Sequence, residues 1–156
     1  MTNPIYRHRK HIDAILADTD AYTFLSKNSA AAEHLRKHPE NIYWEFFSRN
    51  TNPLAVNYLI SHPEKIVHYS FACNKNQQAI EYTLQHFPEN INGQTHSSHN
   101  NQQIVEFLLQ QPERIDMRNL SCNTNSTAVE YLLQHPEKIR WEYFSGNSNQ
   151  QAVEYQ

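Results

Sequence analysis

An asparagine returns along the chain at Asn28, Asn52, Asn76, Asn101, Asn125 and Asn149, at spacings of 24, 24, 25, 24 and 24 residues. A fixed period of this length restricts the chain to an array of like copies, each of which buries one side against its neighbours. Other positions keep the same register. A second asparagine stands two residues earlier at Asn50, Asn74, Asn123 and Asn147, with His99 in its place once. Proline and glutamate recur as Pro39-Glu40, Pro63-Glu64, Pro88-Glu89, Pro112-Glu113 and Pro136-Glu137, and an isoleucine follows each pair at Ile42, Ile66, Ile91, Ile115 and Ile139.

Each copy reads as two short helices. In the copy that begins at Asn52, that residue has the side chain of an N-cap, and Pro53 sits at the first helical position, where a missing N–H costs nothing. At 100° per residue Ala55, Val56, Leu59 and Ile60 fall on one face, with Asn57 turned away; Glu33, Glu81, Glu106, Glu130 and Glu154 hold that outward position elsewhere. Pro63 stops the first helix and is expected to start the second, with Glu64 favoured in its first turn. A short α or 3-10 helix from Ile66 to about Ala72 then presents Ile66 and Phe71 to the core. One copy alone buries too little apolar surface to offset the entropy of ordering its backbone, so stacking is required.

These features predict an all-α right-handed solenoid of short helix pairs. Residues 1–27 form a divergent N-terminal capping unit, with Ala14, Ile15, Leu16, Tyr22 and Leu25 facing the array. Five copies follow at 28–51, 52–75, 76–100, 101–124 and 125–148, and 149–156 is a truncated sixth. The last face is expected to be apolar and to pair with another chain, or the chain to be a fragment of a longer array. The copy at 76–100 departs from the others: it has one extra residue near Phe87, Gly93 where Trp44 and Trp141 stand, and His96 where Phe47, Phe71 and Phe144 stand. A weakened core, with lower local stability or a bend over 86–100, is expected there. The neighbouring copy fills its core positions with Met117 and Leu120. A leucine-rich-repeat strand in the second half of each copy is the competing fold, ranked lower because Glu45, Arg118 and Glu142 occupy a position such a strand needs apolar.

Composition narrows the function. A formal charge of −3 gives no general basic surface for phosphates, and two glycines, Gly93 and Gly146, leave no room for a phosphate loop. The run Tyr6-Arg7-His8-Arg9-Lys10-His11 is read as the wettable side of a cap before it is read as a nucleic-acid contact. There is no apolar run of membrane-spanning length and no secretory leader at the start. Cys73 and Cys122, two copies apart, are expected to be free thiols. Of the ten histidines, His38, His62 and His135 repeat by duplication, and His96 and His99, at i and i+3 in the irregular copy, suggest a weak metal site without a third ligand. No cofactor is implied, and no nucleophile, base and acid recur in an arrangement that makes an enzyme. An aromatic ladder of Tyr58, Tyr82, Phe107, Tyr131 and Tyr155, continued by His34, lies on the flank of the first helices. Stacking between successive copies is its plain explanation, and a protein-binding surface its functional one.

The motif Asn-x-Ala-Val-Glu-Tyr-Leu-Leu-x-x-His-Pro-Glu-Lys-Ile-x-Trp-x-x-Phe-Ser-x-Asn resembles tandem repeats of giant DNA viruses of amoebae. In those repeats Asn-Pro-x-Ala-Ile-x-Leu-Leu alternates with Pro-x-Lys-Ile-x-Trp-x-x-Leu-Ser-x-Asn. The likeness covers residues 28–156; a looser one links the period to leucine-rich-repeat variant solenoids. The first resemblance implies a viral protein acting inside an infected host cell, with the cytoplasm or the virion as its place, and brings no catalytic residues. The expected function is a non-catalytic scaffold for a protein partner. A structural protein that self-assembles through its C-terminal end is the alternative, and nucleic-acid binding ranks last.

Overall fold

An asparagine whose side-chain oxygen can accept from the first turn is a strong local signal for a helix start, and the computed structural model, which describes residues 25–155, places helices after Asn52, Asn101 and Asn125. Asn52 is extended, its side-chain oxygen accepts from the Leu54 N–H, and Pro53 opens a helix that runs to Ser61. Asn101 and Asn125 cap their helices in the same way. The described residues contain helices and turns and no strand, so the architecture is all-α, and the leucine-rich-repeat strand is not formed among them. The N-terminal cap expected over 1–27 lies outside the described residues except for its last three.

Two compact parts divide the chain, residues 1–82 and 83–156. In the first, a 3-10 turn at Ser29–Ala31 leads into α1 (Ala32–Lys37), followed by α2 (Trp44–Ser48), α3 (Pro53–Ser61), α4 (His68–Ala72) and the beginning of α5 (Gln77–His86). In the second, α6 (Gly93–His96), α7 (Gln102–Leu109), α8 (Met117–Ser121), α9 (Ser126–Gln134), α10 (Trp141–Phe144) and α11 (Gln150–Tyr155) follow the end of α5.

The prolines make separate 3-10 turns, at Pro39–Asn41, Pro63–Lys65, Pro88–Asn90, Pro112–Arg114 and Pro136–Lys138, instead of starting the second helix of each copy. The reason lies in two hydrogen bonds. In the second copy the Ile66 N–H closes the turn on the Pro63 carbonyl at 3.2 Å or less, at 3.1 Å, and the next N–H, that of Val67, donates to the Ser48 hydroxyl at 3.1 Å and so is withdrawn from any helical bond. Ile66 and Val67 stay extended, which turns Ile66 inward, and the helix begins at His68. Tyr43, Asp116 and Arg140 give their N–H groups to Ser26, Ser97 and Ser121 in the same manner.

The core of the first part is built from Ala32, Leu35, Phe47, Ala55, Val56, Leu59 and Phe71, all without solvent exposure. In the second, Val105, Leu120, Ala128, Val129, Leu132, Ile139, Phe144 and Ala152 form one cluster, with Met117 partly buried beside it. Asparagines are buried with them: Asn50, Asn74, Asn123 and Asn147. A buried amide is tolerated only when its donors and acceptor are matched, and each of these is. Asn74 Nδ2 donates to the Ser48 and Asn50 carbonyls, both at 2.9 Å, while its Oδ1 accepts from the Asn76 N–H at 2.9 Å. Asn123 does the same with Ser97 O (2.8 Å), His99 O (3.2 Å) and Asn125 N–H (2.8 Å). Asn50 and Asn147 repeat the pattern. The capping asparagines reach back as well, Asn52 to Ser29 O, Asn76 to Thr51 O, Asn125 to Asn100 O and Asn149 to Thr124 O.

Candidate functional site

The ladder positions fall at the edge of the helical faces, where a large ring is half covered by its own copy. Tyr58 stacks on His62, one turn later on the same helix, at 4.2 Å between ring centroids, and Tyr131 meets His135 at 4.4 Å. The repeated histidine before the proline therefore serves as a platform for the tyrosine. Its Nδ1 faces the tyrosine carbonyl, at 2.9 Å for His62 and 2.8 Å for His135. Rings from the short second helices complete the setting. Trp44 lies parallel to Tyr58 at 6.2 Å and Phe47 meets it edge-on; Phe71 meets Tyr82 edge-on at 6.1 Å, and Trp141 lies parallel to Tyr155 at 6.1 Å. Phe107 has the Arg114 guanidinium over its face at 5.7 Å, and the Lys138 ammonium donates to the Tyr131 hydroxyl at 2.6 Å. Tyr58, Tyr82, Phe107 and Tyr131 are thus partly covered. Tyr155 is 47% exposed, and Trp141, Tyr143 and Val153 are further exposed apolar side chains in this part.

His96 and His99 come together with ring centroids 6.5 Å apart, and both side chains are engaged in local structure. His96 is buried, with Nδ1 facing the Asn92 N–H at 3.2 Å and the Thr95 hydroxyl at 2.7 Å. At the equivalent point the other copies use a serine hydroxyl, and residue 72, which holds that serine's place in the motif, is alanine. His99 Nδ1 accepts from the Asn101 N–H at 3.2 Å and so takes over the acceptor role of the asparagine it replaces. Among the described residues no three His, Cys, Asp or Glu side chains are grouped to hold a metal ion, and Cys73 and Cys122 are free thiols.

A groove of about 480 Å³ lies in the first part between α1 and α3, lined by Arg36, Lys37, Leu54, Asn57, Tyr58, Ser61 and His62. On α3 its residues fall at i, i+3, i+4 and i+7, one stripe of the helix. Lys37 is tied to Glu33 at 2.9 Å, and that ammonium holds the Glu33 carboxyl below its ordinary value. Arg36 makes no hydrogen bond or ion pair among the described residues. Leu54 is 40% exposed, which leaves an apolar wall beside the cation. Sequence reasoning reached Tyr58 through the ladder and missed the groove; the available signal was Asn57, the one break in a column of glutamates. No helix among the described residues is long and apolar enough to cross a membrane. Comparison of the chain with protein-family models, curated proteins and solved structures finds no match.

Proposed function

We propose that the protein is a non-catalytic solenoid scaffold, built from five tandem copies and a partial sixth, that binds another protein along its repeated surface. The observation that carries this reading is the buried asparagine ladder. Four amides, each saturated by main-chain groups 22 to 26 residues back and by an N–H two residues on, hold neighbouring copies in register at one side and leave the opposite, outward positions free to vary. Stacked copies of this sort give extended surfaces suited to a protein ligand. The motif's resemblance to repeats of giant DNA viruses supports a place inside an infected amoebal host. The test is crosslinking capture from host lysate with the tagged chain. Recovery of a defined partner, crosslinked to the outward positions of the first helices, supports the reading; recovery of nothing beyond a tag-only control sinks it.

Self-association is a second reading, favoured by Trp141 and Tyr155, both exposed and lying parallel at 6.1 Å. A light-scattering dilution series separates the two: a monomer at every concentration removes self-association.

A further inference from the structure

We infer that the groove between α1 and α3 is a docking site for an acidic, apolar-flanked segment of a partner protein, with Arg36 receiving a carboxylate. This deepens the scaffold reading and rests on it.

The inference starts from a charge pattern. At the outward position of the first helix, Glu33, Glu81, Glu106, Glu130 and Glu154 are all exposed, and each is tied to a side chain one turn away on its own helix, to Lys37, Gln77, Gln102, Gln134 and Gln150 respectively. A carboxylate at that place repels an incoming anion and uses up nearby donors. The second copy has Asn57 instead, exposed and without a hydrogen bond among the described residues. Its neutral amide faces the groove that also holds Arg36, which acts on the Glu33 carboxylate through space while Lys37 makes the ion pair, so these three groups together leave one positive charge beside the groove. A planar guanidinium takes a carboxylate through two parallel hydrogen bonds, and the Asn57 amide adds a neutral donor beside it; the Ser61 hydroxyl is spent on the Tyr58 carbonyl at 2.9 Å. Leu54 and the Tyr58 ring offer the apolar contact that gives a peptide side chain area to bury. His62 is not the recognition group, since its ring is stacked on Tyr58 and its Nδ1 faces the Tyr58 carbonyl. An uncharged apolar ligand leaves Arg36 unpaired, and a basic one opposes it, so charge complementarity selects an acidic segment.

The experiment is fluorescence anisotropy with a short labelled peptide alternating aspartate and leucine, against the same peptide with asparagine for aspartate. The full chain binds the acidic peptide and not the neutral one, and binding weakens with salt. Arg36→Gln lowers affinity by about tenfold or more, the scale of a lost charge-assisted hydrogen bond. Asn57→Glu, which restores the side chain the other copies carry and is therefore compatible with the helix, abolishes binding while circular dichroism and the melting temperature stay as in the parent. Equal affinity of the Asn57→Glu variant for the peptide, or no preference for the acidic peptide, overturns the groove assignment. The scaffold reading then still stands on partner capture, whereas capture without a partner fails that reading whatever the peptide does.

Discussion

Replacing Gly93 by alanine sets two physical effects against each other. Alanine is the better helix former, by about 1 kcal/mol at interior positions and by less at the first position, where Gly93 stands in α6, so local propensity alone predicts a slightly more stable α6. The surroundings predict the reverse. A Cβ at residue 93 would meet Arg114 O at 1.6 Å, with Arg114 C and Asp116 N both at 2.7 Å, where carbon contacts ordinarily settle at about 3.5 Å or beyond. The obstacle is main chain, and it is fastened. The Arg114 N–H donates to the Gln111 carbonyl at 2.9 Å and the Asp116 N–H to the Ser97 hydroxyl at 3.1 Å, while the Arg114 guanidinium also donates to the Gln111 side chain and to the Glu89 and Ile91 carbonyls. The turn must therefore retreat by roughly 2 Å against these bonds. Overpacking costs about 1–3 kcal/mol, more where the backbone has to move, so the net loss expected for Gly93→Ala is about 2 kcal/mol or more. Gly146 is the internal control, since its nearest foreign atom is Tyr143 O at 3.9 Å and its φ is not positive. Gly146→Ala should leave stability unchanged or raise it by up to ~1 kcal/mol. The assay is urea unfolding followed by tryptophan fluorescence. Trp44 and Trp141 are the only tryptophans, one in each compact part, so a Trp44→Phe background reports on residues 83–156. Gly93→Ala should lower the midpoint with an unchanged slope. A midpoint at or above that of the background refutes the close-approach argument and returns the decision to helix propensity.

Three further outcomes follow from the same structure. Asn123→Ala removes two donated hydrogen bonds and one accepted and strands the Ser97 and His99 carbonyls, so a loss of about 2–4 kcal/mol is expected in the same urea assay; a loss under ~1 kcal/mol would mean that the ladder holds nothing together. Tyr131→Phe keeps the ring against His135 and deletes only the bond to Lys138, and thermal unfolding should register a change of less than about 1 kcal/mol. Burial pushes the Cys73 thiol above its ordinary value, against the opposing pull of Arg49. An acid raised in the folded state draws the equilibrium toward unfolding once pH passes the unfolded value, so stability should decline above about pH 8.5 and Cys73→Ser should flatten that decline. The exposed Cys122 should react with a thiol reagent before Cys73 does.

Helix starts were legible because they are local: Asn52, Asn101 and Asn125 cap the residues two or three places ahead of them, and a sequence displays such spacings directly. The second column of asparagines stands just as regularly in the sequence but acts at longer range. Their amide donors act on carbonyls 24 or 26 residues away, and recurrence alone cannot tell a near partner from a distant one. The serine hydroxyls went unread for the same reason, although Ser48, Ser97 and Ser121 recur two residues before the second asparagine or His99. The space left by Gly93 was expected to be a weakness of the core. It is occupied by the main chain of the following turn, an approach that leaves no mark on side-chain pattern. The groove was foreshadowed only by an exception, Asn57, whose meaning depended on Arg36 lying across from it on a different helix.

The asparagine ladder also bears on how such a chain changes over generations. The partners of each buried amide lie in the copy before it and at the first residue of the copy after it, as with Asn74, whose partners all lie between Ser48 and Asn76. Gain or loss of one whole copy by recombination therefore leaves these partners in place, and even the extra residue in the copy at 76–100 is taken up with the Asn123 bonds to Ser97, His99 and Asn125 intact. Copy number can change while the junctions persist, and the outward residues of each new copy are then available for selection to redraw.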